Sequence, residues 1–374
     1  MKIVIRTDAS FTIGSGHIMR CLTLAALLRG RGADVLFICR EHDGHFCNVI
    51  EEQGFSVCRL PTPTVVFHVE NDLSVYNGWL GATWQEDFEQ TRSVINQIGV
   101  KPDWLVVDHY ALDISWESKL SEMVGRIMVI DDLADRSHNC NILLDQNLVA
   151  DMYTRYSEKV PASCNLLIGA EYALLQPIYT ELHDRSSVRE GKIRRILIFF
   201  GGADNDNLTG RILAVFLSLN QFDVKLDVVV SQGSVHLESI RKQVLGKDNI
   251  NLYNGLPTLA PLMVKADLAI GAGGATNWER LCLGLPALII TIADNQRLVA
   301  EELNARGLVK LLGHKDQIDD ASIFNTLKSI LARSLEPEWS IRCRNVLDGT
   351  GANLVANIML DKLLTTKKSL NKGI

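Results

Sequence analysis

The chain has 374 residues, of which 47% are apolar, and its 38 Lys and Arg against 44 Asp and Glu give a net charge of −6. This balance excludes the basic surface that nucleic-acid binding and polybasic membrane anchoring require, so we expect neither partner. Because a single hydrophobic core stops growing at roughly 250–300 residues, we expect two domains. The start MKIVIRTDAS does not resemble a secretory signal, and apolar runs stay below the ~18 residues of a membrane span, which predicts a cytoplasmic protein.

In the first half, short runs rich in Val and Ile alternate with longer amphipathic segments, the pattern of a buried parallel sheet covered by helices. The strands are predicted at residues 2–6, 34–39, 104–108, 126–131 and 142–145, and the clearest helix at 16–31. The pattern therefore predicts an α/β fold.

The same alternation starts again in the second half. Strands are predicted there at residues 195–200, 225–230, 250–253, 267–271 and 287–292. Between the halves, residues 181–192 (ELHDRSSVREGK) are polar with little to bury, which is typical of an interdomain linker. We expect doubly wound domains at residues 1–180 and 193–345, followed by a C-terminal helix and tail at 346–374.

A glycine turn joins the first strand to the first helix. Gly14, Ser15 and Gly16 form this turn, and His17 follows it. In open α/β sheets, ligands bind beyond the carboxyl ends of the strands, where this turn lies. A dinucleotide fingerprint would need glycine at Met19 and an acidic residue ending the second strand, so a NAD site is excluded. His17 is either a solvated neighbour of the helix cap or a proton acceptor in the cleft, and the flanking glycines favour the acceptor.

Two further strand ends carry polar side chains. These are Asp108, His109 and Tyr110 after one strand, and Asp131, Asp132 and His138 after the next. An Asp at a strand end commonly caps a helix, but neighbouring strands deliver these groups to one edge of the sheet, which favours a functional site.

The second half carries glycine turns of its own. Gly201 and Gly202 follow its first strand, and a richer turn at residues 271–276 opens a helix that bears Glu279. Backbone NH groups at such a turn suit diphosphate oxygens, and a carboxylate one turn into the helix can accept both hydroxyls of a ribose. The next strand ends in Asp294, Asn295 and Gln296, facing the cleft.

These second-half residues resemble the donor-binding domain of GT-B nucleotide-sugar enzymes such as the peptidoglycan N-acetylglucosaminyltransferase. The segments RTDAS, GSGHIMRC, VVDHYALD, IDDLADRSHNCNILLDQN and FFGGAD further resemble the UDP-2,4-diacetamido-2,4,6-trideoxy-β-L-altropyranose hydrolases of pseudaminic acid biosynthesis. The resemblance runs from Lys2 to the helix after Gly351, and the GxGHxxR and DHY elements are its specific parts. Family members with shorter loops lack residues 61–84, so that segment has no assigned role.

The resemblance implies a GT-B fold whose two domains face each other across a cleft. It also implies hydrolysis of the UDP-linked diacetamido sugar to UDP and the free sugar, by water attack at the anomeric carbon with inversion. No cofactor is expected, and the lack of the carboxylate and histidine spacing of a catalytic metal site predicts that the reaction needs no metal. By the same resemblance the catalytic residues are His17, which is the general base, Tyr110, which lines the sugar site, and Asn277 on the glycine-turn helix. The remaining residues expected at the substrate are Gly14, Ser15, Gly16, Asp108, His138, Gly201, Gly202, Leu256, Gly273, Gly274, Ala275, Thr276, Glu279, Asn295 and Gln296.

Two other functions stay open from the sequence. A glycosyltransferase would use the same UDP site with a sugar or lipid acceptor in place of water. In a nucleotide-sugar binding protein without catalytic activity, His17 and Tyr110 would have no function. Fold analogy alone does not separate these alternatives.

The eight cysteines are scattered without a CxxC pair, which predicts reduced and mostly buried thiols. One cluster differs, since Cys39, His42, His45 and Cys47 fall within nine residues and could in principle bind zinc. Structural zinc sites usually draw their ligands from two separated segments, so a loop without metal is the preferred interpretation.

Overall fold

The computed structural model describes residues 1–62, 75–202, 204–231 and 233–361 of the chain. Within these ranges lie two large parallel sheets, one in each half of the chain, and the predicted α/β class is confirmed. In the same ranges, none of the helices combines the length and the apolar character needed to cross a membrane.

The first half forms one sheet with helices on its two faces. Its strands are β1 (Lys2–Thr7), β2 (Asp34–Arg40), β3 (Ser56–Leu60), β4 (Trp104–Asp108), β5 (Arg126–Ile130), β6 (Ile142–Asp145) and β7 (Asn165–Ile168). Its helices are α1 (Gly16–Gly30), α2 (Cys47–Glu52), α3 (Trp84–Gln97) and α4 (Ile114–Leu120), with short 3-10 helices at Val75–Leu80 and Ala170–Tyr172. The strand order β3-β2-β1-β4-β5-β6-β7 places the point where the order reverses between β1 and β4.

All five strands predicted for this half are confirmed, with ends that shift by at most one residue. The sequence does not predict β3 and β7, which lie at the two edges of the sheet. Both carry exposed residues, such as Ser56 and Asn165. An edge strand that is partly open to water lacks the apolar run by which buried strands are recognised.

The second half forms the other large sheet. Its elements are α5 (Pro177–His183), β8 (Gly191–Lys192), β9 (Arg195–Phe199), α6 (Leu208–Ser218), β10 (Lys225–Val230), α7 (Leu237–Val244), β11 (Ile250–Asn254), α8 (Ala260–Lys265), β12 (Leu268–Ala272), α9 (Thr276–Cys282), β13 (Ala287–Thr291), a 3-10 helix at Asp294–Gln296, α10 (Arg297–Ala305), β14 (Lys310–His314), α11 (Asp320–Leu331), β15 (Ser334–Leu335), α12 (Pro337–Arg344) and α13 (Gly351–Leu360). The parallel strands follow the order β11-β10-β9-β12-β13-β14, and β8 pairs with β15 separately. The sequence does not predict β14, where Gly313 at φ 135° accompanies a register shift.

The stretch at residues 181–192 is more ordered than its composition predicts. The expectation that it has little to bury is wrong at Arg189, which is 5% exposed. The Arg189 guanidinium donates to the carbonyl oxygens of Met263 at 2.9 Å and Ala266 at 3.3 Å. These bonds fix the connecting segment to the second half, because burying a guanidinium is costly unless carbonyl acceptors satisfy it.

The C-terminal helix returns to the first half. α13 packs against α1, where Arg31 donates to the Asn353 side chain at 2.7 Å. The indole of Trp104 donates to the carbonyl oxygen of Met359 at 3.1 Å. We propose domain limits of 1–180 and 193–345, with α13 as the element of the segment 346–374 that ties the end of the chain to the first domain.

Candidate functional site

The glycine turns of the two domains meet across a cleft. Asn205 of the second domain donates through its side-chain amide to the carbonyl oxygen of Phe11 at 3.2 Å. A Cβ added at Gly202 would lie 2.8 Å from the Ser15 hydroxyl oxygen, so a larger residue there would displace the Ser15 side chain. The turn before α1 therefore faces the turn after β9, and both lie at carboxyl ends of strands, where open α/β sheets bind ligands.

His17 is held by a carboxylate behind it. The Asp108 Oδ1 atom lies 2.6 Å from His17 Nδ1, and Arg20 clamps both Asp108 oxygens at 2.7 Å. Arg20 stands one turn after His17 on α1, so the two side chains share a helix face. Burial alone would raise the pKa of Asp108, but the Arg20 guanidinium and His17 hold that pKa well below its usual range.

An ionised Asp108 fixes the tautomer of the imidazole. The carboxylate accepts a hydrogen bond from the Nδ1–H group, which leaves Nε2 as the nitrogen that can take a proton from water. Asp108 was expected at the substrate, but its side chain is 0% exposed, and we propose instead that it acts on His17. Its side chain lies behind His17 and acts through the histidine, so it is a positioning residue.

A second carboxylate, that of Asp132, orients the Tyr110 side chain. The Tyr110 hydroxyl donates to Asp132 at 2.6 Å, and the same carboxylate accepts from Arg20 at 2.7 Å and from the Asn147 amide at 2.9 Å. The Tyr110 ring stands edge-on to the His17 ring, with 4.6 Å between the ring centroids. Arg20 thus joins both carboxylates, so that His17 and Tyr110 are oriented by one continuous network.

His138 does not reach this site. It is 1% exposed, and its Nδ1 lies 2.7 Å from Glu117, a carboxylate that is itself 0% exposed. We therefore propose that His138 lies behind the site and does not contact the substrate, because its ring and the carboxylate beside it are both buried. The sequence placed His138 on the rim because its loop follows β5, and a strand end alone cannot show which way a side chain turns.

The end of β12 and the turn that follows it are closely packed. A Cβ at Gly271 would lie 2.1 Å from the carbonyl oxygen of Phe199, so glycine is required there. The Asn277 amide donates to the Gly273 carbonyl at 2.9 Å and accepts from Arg280 at 2.5 Å. Since Asn277 is 1% exposed, we propose that it shapes the turn and does not touch the sugar.

Arg280 places a positive charge behind this turn, where the sequence alone does not predict one. It is 3% exposed and donates to the carbonyl oxygen of Ala272 at 2.7 Å. Gln296 supports the turn from the other side, since its side-chain oxygen accepts from the Ile292 backbone NH at 3.0 Å. A guanidinium and backbone NH groups on one side of a cleft suit an anionic ligand.

The remaining predicted residues belong to the second domain and differ in exposure. Ala275 is exposed, while Gly274, Thr276 and Asn295 are partly buried, and Leu256 is 36% exposed. Burial raises the pKa of Glu279 to about 7, and the neighbouring Tyr179 hydroxyl acts in the opposite direction. Contact of these residues with UDP stays a prediction.

The cysteine and histidine cluster does not assemble into one site, although the Cys39 and Cys47 thiols stay beside each other. Cys39 is the second-last residue of β2, and Cys47 is the first residue of α2. His45 Nδ1 accepts a hydrogen bond from the Cys47 backbone NH at 3.3 Å. His42 instead approaches Asp8, with 3.5 Å between His42 Nε2 and the carboxylate. Among the residues that the structure describes, no three His, Cys, Asp or Glu side chains are grouped to hold a metal ion. The metal independence of the reaction stays a prediction.

Two buried carboxyl groups, Asp131 and Asp145, lie near Asp132, and Asp145 is expected to change its charge near neutral pH. The Tyr156 hydroxyl oxygen lies 2.9 Å from Asp131 Oδ2 and 3.1 Å from Asp145 Oδ2, so it bridges the two carboxyl groups. Burial and the charge of Asp132 raise the pKa of Asp145 to about 7, although Arg155 opposes this shift. The folded protein therefore favours the neutral Asp145 carboxyl more than the unfolded chain does. The resulting contribution to the free energy of unfolding is complete below about pH 4 and is lost as the pH rises through about 7.

Asp145→Asn is expected to remove this pH dependence, because Asn stays neutral. The free energy of unfolding of the wild type should fall relative to that of Asp145→Asn between pH 5 and pH 8, as urea titrations at each pH would show. The exposed Asp151→Asn provides the matched control and should follow the wild type. Parallel curves for the wild type and Asp145→Asn would contradict the assignment.

Comparison with known proteins supports the fold and the resemblance. Residues 195–343 match the glycosyltransferase family 28 C-terminal domain. The chain is 28% identical over 309 residues to the UDP-2,4-diacetamido-2,4,6-trideoxy-beta-L-altropyranose hydrolase of Campylobacter jejuni, covering 82% of this chain and 97% of that protein. It is 26% identical to the uncharacterized protein MJ1062 of Methanocaldococcus jannaschii, covering 79% of this chain and 57% of that protein.

Among solved structures, Acinetobacter baumannii MurG aligns with a TM-score of 0.63 at 15% identity, covering 96% of this chain and 99% of MurG. At this identity the match establishes the fold alone. The chain has the GT-B fold, as predicted from its motifs, and its resemblance to the UDP-sugar hydrolase is confirmed.

Proposed function

We propose that the protein hydrolyses a UDP-linked 2,4-diacetamido-2,4,6-trideoxy sugar of the β-L-altropyranose type, releasing UDP and the free sugar. The observation that carries this proposal is the 2.6 Å contact between His17 and Asp108, which orients a base at the mouth of the cleft. An Asp–His pair of this geometry activates a water or hydroxyl nucleophile. We further propose that the protein acts in the cytoplasm, in the pathway to pseudaminic acid.

In the proposed reaction, His17 Nε2 takes a proton from water as the water oxygen bonds to the anomeric carbon. The bond from that carbon to the diphosphate oxygen breaks, and its electron pair leaves with UDP. Backbone NH groups of residues 273–276 and the charge of Arg280 would stabilise the leaving group, a kind of interaction that supplies a few kcal/mol. Attack from the face opposite the leaving group inverts the anomeric centre.

A glycosyltransferase is the second candidate, favoured by the family 28 match of residues 195–343. Both functions would share the UDP site and would differ in the nucleophile. Incubation with UDP-2,4-diacetamido-2,4,6-trideoxy sugars, with and without candidate acceptors, tests the choice. Release of UDP without any acceptor supports hydrolysis, whereas UDP release that requires an acceptor would show a transferase.

Glu279→Ala is expected to weaken UDP binding about tenfold or more, because a hydrogen bond to a charged group contributes about 1.5–3 kcal/mol. The proposed cause is loss of the carboxylate that accepts the ribose hydroxyls. Isothermal titration of the full-length protein with UDP measures the change. Glu301→Ala, on the exposed face of α10, is the control. An unchanged UDP affinity in Glu279→Ala would show that the ribose is held elsewhere.

A further inference from the structure

Two aromatic side chains beside the base belong to the segment without an assigned role. This segment comprises residues 61–84, of which residues 63–74 lie outside the described part of the chain. The 3-10 helix Val75–Leu80 is described and carries Tyr76 and Trp79. We call these two residues the aromatic wall.

The aromatic wall packs on the two site residues of the first domain. The Trp79 ring stacks on Tyr110 with 5.6 Å between centroids and an interplanar angle of 26°, and it lies 6.3 Å from the His17 ring. Tyr76 stands edge-on to both Trp79, at 4.8 Å, and Tyr110, at 5.1 Å. The four rings form one cluster, and the wall is the part of it that remains half-buried.

The aromatic wall also faces the second domain. Burial raises the pKa of Tyr76, and the charges of Asp135 and Asp294 raise it further. Asp135 belongs to the first domain, whereas Asp294 opens the short helix after β13 in the second. Tyr76 therefore stands beside Tyr110 and within electrostatic reach of Asp294, and we place the sugar subsite in the space next to it.

The geometry of the reaction brings the sugar to this space. A water activated by His17 lies about 3 Å from the imidazole nitrogen and about 3 Å from the anomeric carbon. Because the Trp79 centroid is only 6.3 Å from that of His17, a hexose in this position contacts the wall. Aromatic faces favour C–H and methyl groups and offer few hydrogen bonds to hydroxyl groups.

We propose that Tyr76 and Trp79 determine specificity at the sugar subsite by packing against the methyl groups of N-acetyl and 6-deoxy substituents. This inference rests on the proposed function and extends it to residues outside the motifs that carry the resemblance. A hexose that bears hydroxyls at these positions would leave them unsatisfied against the rings, so the wall selects for the apolar sugar and against the hydroxylated one.

The aromatic wall is tested by equilibrium binding to variants that also carry His17→Asn, so that the sugar nucleotide is not hydrolysed during the measurement. Isothermal titration compares the UDP-2,4-diacetamido-2,4,6-trideoxy sugar with UDP-N-acetylglucosamine and with UDP alone. Adding Trp79→Leu is expected to reduce the preference for the diacetamido sugar over UDP-N-acetylglucosamine about fourfold, the scale of one buried methyl group. UDP affinity should stay within about twofold, and Trp79→Phe should keep most of the preference.

Phe222→Leu provides the matched control, since this exposed ring precedes β10 at the opposite end of its sheet. Thermal unfolding checks that each variant is folded, and Tyr76→Leu takes the place of Trp79→Leu if that variant is not. An unchanged preference in folded wall variants would overturn the proposal. Failure of the hydrolase proposal would appear separately, as a wild type that releases no UDP from either sugar nucleotide.

Discussion

His17→Asn is expected to lower kcat at least about a hundredfold, which is the usual contribution of a general base. Asn has a polar side chain of similar reach but no basic nitrogen, so the attacking water keeps its proton. Initial rates of UDP release measure the loss. UDP acting as a product inhibitor should bind within a few fold of its wild-type affinity, because its proposed site lies on the second domain.

A His17→Asn variant with near-normal kcat would assign the base to another rim residue. Among the neighbours expected from the sequence, His109 and His138 are 4% and 1% exposed and are engaged with Asp8 and Glu117. Asp132 is only partly buried and would then be the next residue to replace. His45→Asn, in the loop between β2 and α2, is the control and should retain activity.

Asp108→Asn is expected to lower kcat by a factor of about a hundred to ten thousand, since the imidazole loses the partner that fixes its tautomer. The substituted amide can donate to Nδ1 and so leave the proton on Nε2, where it blocks general-base catalysis. KM and UDP inhibition should change little, which separates this effect from loss of substrate contact.

The same substitution also weakens the clamp on Arg20, so some loss of stability is expected. Activity is therefore measured well below the unfolding temperature of each variant. Asp43→Asn, an exposed replacement in the first domain, is the control. A fall in kcat that only follows the fraction of folded protein would contradict the positioning role of Asp108.

The sequence predicts the buried strands well because their apolar runs are local. It misses β3, β7 and β14, whose edge positions or bulge break that run. It also misjudges residues 181–192, since the acceptors for Arg189 are carbonyl groups of residues distant in the chain, such as Met263. Composition carries no information about such long-range partners.

In the candidate site, too, local features can be predicted from the sequence and long-range contacts cannot. The glycine turns and His17 can be read from a local motif, but the bond from His17 to Asp108 joins residues 91 positions apart. A sequence cannot show whether Asp108 faces the substrate or the base, and here the structure places it behind the base. Arg20 could have been found from its spacing of three residues after His17, which puts both on one helix face.

Hydrolysis of the UDP-diacetamido sugar in oxygen-18 water, without acceptor, tests the proposed reaction most directly. Attack of the His17-activated water at the anomeric carbon places the label in the hydroxyl group of the free sugar and leaves the UDP phosphate unlabelled. Mass spectrometry of both products distinguishes the two positions. Label in the UDP phosphate would mean attack at phosphorus and would contradict the proposed reaction.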